Sequence, residues 1–310
     1  MAKGTHTLYN VPEIHDVGVM CRLLESMGAI TQRRGDAVEI TVDDLDPVAR
    51  FELVEQMRAS TAVLGPLLGR FGRVELGIPG GDDFGHRPID MHLRGLEELG
   101  ATFTTSAEGV IGTGDRLRGA DVLLAFPSVG ATVNLMMAAV LADGVTRIEY
   151  AAREPDIADL ASMLNKMGAR ITGSGTSTIT VVGVEQLEAI THRVIPDRIQ
   201  AATFLAAVGI AGGEILLDEA RYDHMDMVCQ KVGEMGLRTS PDRGGIWAMA
   251  NTRLRSVDVS TLPYPGVATD YKPFLVALLS VADGTSIVTE NLFAGRFRYV
   301  DELVAMGARI

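Results

Sequence analysis

The densest run of chemically useful residues is Pro79-Gly80-Gly81-Asp82-Asp83-Phe84-Gly85-His86-Arg87-Pro88-Ile89-Asp90-Met91-His92. Arg87 sits between a glycine-rich stretch and Pro88, where the backbone can come close to a ligand. A guanidinium fork at such a place suits phosphate or carboxylate, which it grips through two hydrogen bonds. Asp82 follows two glycines, and taken alone it also reads as a solvated turn aspartate. Asp82-Asp83 lacks the alternating ligands of a calcium loop. Further candidates are Arg58, Ser128 to Thr132, Asp197-Arg198 and Thr269-Asp270. Each is placed near the start of the helix preceding the first of two glycine series. Helix N-termini present unpaired N–H groups and partial positive charge, so they suit anions. Ser128, Thr269 and Asp270 are also ordinary N-cap residue types. The chemistry on offer is the binding of molecules that carry phosphate or carboxylate.

The elements that must position these residues come from a repeat. Glycines at 28, 100, 168, 236 and 307 each follow an apolar residue that ends a helical pattern, with steps of 72, 68, 68 and 71. A second series at 4, 72, 144, 213 and 284 runs in step, at intervals of 68, 72, 69 and 71. Glycine ends helices because it takes positive φ without steric cost. Each unit of about seventy residues therefore reads helix, Gly, strand, helix, Gly, then one or two strands. In the third unit the expected elements are a helix over 130–142, a strand over 145–150 and a helix over 156–167. Strands over 169–172 and 178–182 follow, the last alternating polar and apolar residues. On this register the sequence is expected to start at the last turn of one helix and to stop inside a strand.

Composition excludes several functions. The 310 residues carry a formal net charge of −12, with 47% hydrophobic, 22% charged and 5% aromatic residues. Such an acidic chain does not favour nucleic acid or an anionic membrane surface. No apolar stretch is long enough to span a bilayer, and no apolar segment follows the N-terminus as in a signal peptide. Cys21 and Cys229 stand far apart in no metal-ligand spacing, so no metal is expected, and a reducing cytoplasm fits.

The run from Pro79 to His92 resembles the catalytic loop of the enolpyruvyl transferases, in the branch that acts on UDP-N-acetylglucosamine. The family pattern there is P-G-G-(C/D)-x-x-G-x-R-P-x-D-x-H. Other segments agree in order and spacing: 51–66 with Met57-Arg58-Ala59-Ser60, Phe126-Pro127-Ser128-Val129-Gly130-Ala131-Thr132 and Ala152-Arg153-Glu154-Pro155. His192-Arg193-Val194-Ile195-Pro196-Asp197-Arg198, Thr269-Asp270, and Thr289-Glu290-Asn291 with Arg296-Phe297 continue the match. The resemblance covers the whole chain.

What it implies is an α/β fold of βαβαββ units in two globes, each an inside-out α/β barrel with helices inside and sheets outside. About four and a half of six units are present. The implied domains are residues 1–194, lacking a first helix, and 195–310, an incomplete second globe, with the active site between them. The implied reaction joins phosphoenolpyruvate to the 3-hydroxyl of UDP-N-acetylglucosamine, with no cofactor and no metal. Asp82 would be the general acid to C3 or would help phosphate leave, and Asp270 would take or orient the hydroxyl proton. Arg58 and Arg87 would hold phosphoenolpyruvate. Arg58, Pro88, Asp90, Met91, Ser128, Val129, Gly130, Asp270 and Leu292 would contact the nucleotide sugar.

Two departures stand near the sugar side: Val267-Ala268 where the family has Phe-Pro, and Ala294-Gly295 where it usually has Glu and Asn. The family's Lys-Asn pair on the first helix would precede Met1, and its C-terminal arginines would follow Ile310. Little activity is therefore expected of the chain as given. Alternatives are a nucleotide enolpyruvyl transferase of secondary metabolism, a shikimate-phosphate enolpyruvyl transferase, and a non-catalytic fragment that binds a nucleotide sugar.

Overall fold

The computed structural model describes residues 2–82, 85 and 87–310. The main division of the chain falls between Ile195 and Pro196, and each side has its own apolar core. All ten glycines of the two series have positive φ, from +65° at Gly72 to +109° at Gly28 and Gly236. An L side chain rarely adopts that conformation, so the glycine spacing marks the chain reversals of the repeat.

Residues up to 195 form three four-stranded sheets with one plan. The first runs Thr191–Arg193, Gly4–Tyr9, Ala37–Val42, Ile30–Arg34. The second runs Val48–Ala49, Arg73–Gly77, Gly109–Thr113, Thr102–Ser106, and the third Asp121–Leu123, Val145–Glu149, Thr178–Val182, Arg170–Thr172. In each, the strand at the second-series glycine pairs in parallel with a short edge strand and antiparallel with a hairpin. The parallel partner of Gly4–Tyr9 is Thr191–Arg193, so the tail of the third repeat returns to the first sheet. None of these sheets closes on itself. The barrel character implied by the resemblance resides in repetition of open sheets rather than in a closed ring of strands.

The third repeat has a helix Val129–Ala139, a strand Val145–Glu149, a helix Pro155–Lys166, and strands Arg170–Thr172 and Thr178–Val182. These agree with the sequence reading to within three residues at each end. Val129–Ala139 is apolar almost all round, and eight of its side chains are buried. Such a helix belongs inside. It crosses the helix Leu64–Phe71 so closely that a Cβ on Gly65 would lie 2.2 Å from the Asn134 carbonyl oxygen. Against the helix Asp90–Glu98, Gly95 meets Leu135 in the same way, at 2.8 Å.

Residues from 196 onward repeat the plan with fewer strands. Gly213–Leu217, Gly245–Ala250 and Arg238–Asp242 form one sheet, and Val259–Ser260 pairs in parallel with Val288–Thr289. The helices Arg198–Ala211 and Lys272–Ser280 lead toward the glycines at 213 and 284. One expectation is corrected here. The candidate residues at helix starts belong to the helices preceding the second glycine series, one helix earlier in each unit than was read. The two helices of a unit differ in polarity: Val129–Ala139 and Arg198–Ala211 are apolar almost all round, while Pro155–Lys166 and Asp226–Met235 carry one polar face. The candidates therefore start the apolar, inward helix of each unit.

Candidate functional site

Arg58 begins a 3-10 helix, Arg58–Val63, that runs on into Leu64–Phe71. Ser60, wholly buried, anchors the turn by donating to the Val54 and Met57 carbonyls at 2.9 and 2.7 Å. The Gly80-Gly81 pair lies flat on this segment. A Cβ on Gly80 would stand 1.5 Å from the Glu55 carbonyl oxygen, and one on Gly81, whose φ is +103°, would stand 3.0 Å from Arg58. The close backbone approach that the glycines permit is thus to residues 55–58 of the protein itself. The Arg58 guanidinium donates to the carbonyls of Arg87 and Pro88 at 2.5 and 3.4 Å, which fixes the far side of the loop.

The result is a cavity of about 440 Å³ that Arg58, Asp82 and Arg87 line together with Asp16, Glu55 and Gly81. Burial, and then the nearby Arg87 charge, push the Arg58 guanidinium below its ordinary range. Two guanidinium groups brought close in a partly desolvated space repel each other, and an anion between them relieves that repulsion. Asp83, Phe84 and His86, expected in the same loop, lie outside the described residues.

Several other candidates of this unit lie around one buried histidine, His92, which feels the Arg58 and Asp90 charges. Asp90 starts the helix Asp90–Glu98, pairs with Arg94 at 3.4 Å and precedes the half-buried Met91. Ser128 is the N-cap of Val129–Ala139, its Oγ accepting from the Ala131 N–H at 3.3 Å. Gly130 faces His92, whose Cε1 would lie 2.8 Å from a Cβ there. His92 is 6% exposed. Asn134 Oδ1 accepts from the Gly65 N–H at 2.7 Å, so its NH2 group must face Thr61 O and His92 Nδ1, both at 3.0 Å. His92 Nδ1 is therefore the acceptor, and the ring proton sits on Nε2. Burial and then the Arg58 charge, against the opposing Asp90, lower its pKa to about 4.

The second unit holds the remaining candidates. Thr269 and Asp270 are not N-caps. They lie in a 3-10 turn, Thr269–Tyr271, that leads into Lys272–Ser280, because their side chains are claimed by more distant partners. Arg296 pairs with Asp270 Oδ1 at 2.9 Å and donates to Thr269 Oγ1 at 3.2 Å. Behind them lies an ion pair between Lys272 and Glu290 at 2.8 Å, with side chains 0% and 1% exposed. Leu292 is held by its backbone N–H, which donates to Glu290 Oε1 at 2.7 Å. Burial by itself would raise the Glu290 carboxyl. The Lys272 ammonium, the Leu292 amide and the hydroxyls of Thr261 and Thr269 outweigh burial and hold it near 2. Burial also pushes the Lys272 ammonium down, with Glu290 opposing.

Sequence reasoning did not single out His92, Asn134, Asp16, Glu55, Lys272 or Glu290. His92 and Glu290 stood inside the quoted motifs, and Asn134 is the lone amide of an otherwise apolar helix. Asp16, Glu55 and Lys272 carried no local signal. Among the described residues, no group of three or more His, Cys, Asp or Glu is placed to hold a metal ion. No helix among them is long and apolar enough to cross a membrane.

A repeated α/β unit whose glycine loop brings two guanidinium groups and several carboxylates to one cavity offers a place for an anionic ligand. A family model described as EPSP synthase (3-phosphoshikimate 1-carboxyvinyltransferase) matches residues 1–310, and the chain belongs to this family of enolpyruvyl transferases. It is 45% identical over 303 residues to UDP-N-acetylglucosamine 1-carboxyvinyltransferase 1 of Caldanaerobacter subterraneus subsp. tengcongensis, covering 98% of this chain and 73% of the relative. It is 46% identical over 309 residues to UDP-N-acetylglucosamine 1-carboxyvinyltransferase of Mycolicibacterium paratuberculosis, covering 99% and 74%. Among solved structures, the enolpyruvyl transferase NikO from Streptomyces tendae superposes with a TM-score of 0.88 at 23% identity, over 99% of this chain and 74% of that one. EPSP synthase from Acinetobacter baumannii gives 0.66 at 18% identity, again over 99% and 74%. At those identities the two structures speak for the fold.

Proposed function

We propose that this protein transfers the enolpyruvyl group of phosphoenolpyruvate to the 3-hydroxyl of UDP-N-acetylglucosamine, a step of peptidoglycan precursor synthesis in the cytoplasm. The observation that carries the reading is the cavity that Arg58, Arg87 and Asp82 line together, in a chain whose relatives are named for this activity. The sugar hydroxyl oxygen adds to C2 of phosphoenolpyruvate while C3 gains a proton. The adduct then loses phosphate and a C3 proton, which restores the double bond. Arg58 and Arg87 bind the phosphate and carboxylate and stabilise the charge that leaves with phosphate, which is the electrostatic part of catalysis. Asp82 supplies the proton to C3 or assists the departing phosphate.

The nucleotide sugar is read by the N-terminus of Val129–Ala139, where Ser128, Val129 and Gly130 present backbone N–H groups to a diphosphate. Pro88, Asp90 and Met91, at the start of the neighbouring helix, are assigned to the nucleotide sugar as well, and so are Asp270 and Leu292 by their place in the family's motifs. Asp270 takes or orients the hydroxyl proton. Because position 82 carries a carboxylate rather than a thiolate, epoxides of the fosfomycin type leave the enzyme active.

The test is phosphate release from phosphoenolpyruvate by the protein, with the product identified by mass spectrometry. Release that depends on UDP-N-acetylglucosamine and yields its enolpyruvyl ether supports the reading. Release only with shikimate 3-phosphate or another nucleotide as acceptor overturns it.

A further inference from the structure

Asp270 sits on a 3-10 turn of three residues, and its carboxylate is 48% exposed. Neither feature by itself orients a side chain. Its partner Arg296 comes from the irregular segment between the strand Val288–Thr289 and the helix Tyr299–Ala305, yet it is only 16% exposed. What holds both is the buried pair behind them. The Lys272 ammonium donates to the Arg296 carbonyl, which pins the segment that bears the guanidinium. Glu290 Oε2 accepts from Lys272 and from Thr269 Oγ1, each at 2.8 Å. Glu290 Oε1 accepts from Thr261 Oγ1 and from the Leu292 and Phe293 amides, at 2.8, 2.7 and 3.1 Å. Thr269 is the junction. Its hydroxyl gives its one proton to Glu290 and accepts from Arg296 Nη1, while Arg296 Nη2 grips Asp270 Oδ1.

We propose that the buried Lys272–Glu290 pair, acting through the Thr269 hydroxyl and Arg296, is a positioning device that aims the Asp270 carboxylate at the reacting sugar hydroxyl. This rests on the function proposed above. Arg296 occupies Oδ1 from one side and leaves Oδ2 to accept from the substrate hydroxyl. Nothing in the arrangement changes covalently. Its contribution is to remove the rotational freedom of a carboxylate on a short turn, and an ångström of misplacement at a reacting group costs on the order of 100-fold in rate. A charged pair, rather than an apolar plug, is suited to this because five donors must be satisfied at once around one carboxylate. A neutral amide at 290 would turn N–H groups toward Lys272 and Thr269.

The test uses Thr269, since Thr269→Val keeps the shape of a side chain that is 6% exposed and removes only the hydroxyl. Thr269→Ser keeps the hydroxyl and is the conservative rescue. Thr269→Val is expected to lower kcat by about 10- to 100-fold while KM for UDP-N-acetylglucosamine stays within about threefold, and Thr269→Ser to stay near wild type. In an Asp270→Asn background the same Thr269→Val change is expected to add almost nothing, since residues acting through one group are not additive. An equal loss in both backgrounds means that Thr269 does not act through Asp270, and overturns the proposal. Wild-type turnover with UDP-N-acetylglucosamine tests the underlying reading separately. A crystal structure of Thr269→Val supplies an arm independent of the acceptor. The Arg296–Asp270 contact is expected to open beyond 4 Å or so, past ion-pair range, and a contact retained as in wild type also overturns the proposal.

Discussion

Acidification from pH 6.5 toward 4 should weaken the first unit through His92. Its ring is 6% exposed, its Nδ1 already accepts from the Asn134 amide, and its pKa is lowered to about 4. In the unfolded chain the same ring titrates near 6.5. Between these values the unfolded state binds a proton that the native state refuses, so stability rises with pH across that window. The contribution is complete above about 6.5 and is lost progressively down to about 4. The interval corresponds to about 3 kcal/mol, at about 1.4 kcal/mol per pH unit. The structural reason is specific: a proton on Nδ1 would point at the Asn134 NH2, which the Gly65 N–H holds in place.

The control is His92→Gln, which can still accept from Asn134 through its carbonyl and does not titrate. Urea unfolding of both proteins at several pH values from 4 to 7.5, followed by a probe in the first unit, gives the comparison. The wild-type midpoint should fall with pH more steeply than that of the variant, the difference approaching about 3 kcal/mol at the low end. His6 also has a lowered pKa, caused first by burial, but it is common to both proteins and cancels. Parallel slopes, or an imidazole resonance of His92 that titrates near 6.5, would refute the reasoning.

Gly80→Ala would place a methyl group 1.5 Å from the Glu55 carbonyl oxygen. The loop must lift off, and calorimetry should show phosphoenolpyruvate affinity down at least ~10-fold, because Arg58 no longer reaches the loop carbonyls. Asp82→Cys should gain time-dependent inactivation by a fosfomycin-type epoxide, seen as a mass adduct on residue 82, while wild type shows none. Cys229 cannot substitute because burial pushes its thiol up to about 11, and Cys21 does not line the cavity. Asp270→Asn should keep nucleotide-sugar binding and lower kcat by roughly 10²- to 10⁴-fold, as measured by phosphate release. In the second unit, Glu290 is held near 2 against an ordinary 4.5, so its contribution is present above about 4.5 and lost as pH falls through about 2. Acid unfolding followed at Trp247 should therefore be less steep in that interval for Glu290→Gln.

The sequence by itself determined the repeat and the elements that compose it. Two glycine series in step marked ten chain reversals, because positive φ is a local property that almost only glycine supplies. Thr178–Val182 was legible as a strand from its alternation, and Val129–Ala139 as a helix from its length and composition, since both signals lie within a dozen residues. Arg58 was legible as a candidate near a helix start and Arg87 from its place between the glycines and Pro88, while Asp82 stood out only through the resemblance of its loop to the enolpyruvyl transferase pattern. That they line one cavity follows from tertiary structure, because Gly80-Gly81 must cross residues 55–58 for Arg58 to reach Arg87. Lys272 and Glu290 show the limit most clearly. Lysine and glutamate are almost always exposed, so nothing in their neighbourhoods marks them as buried. Only the folded second unit, which brings residues 261, 269, 272, 290 and 296 together across thirty-five positions of chain, supplies the partners that make burying both charges possible. The same holds for His92, whose tautomer and charge are decided by an amide forty-two residues away.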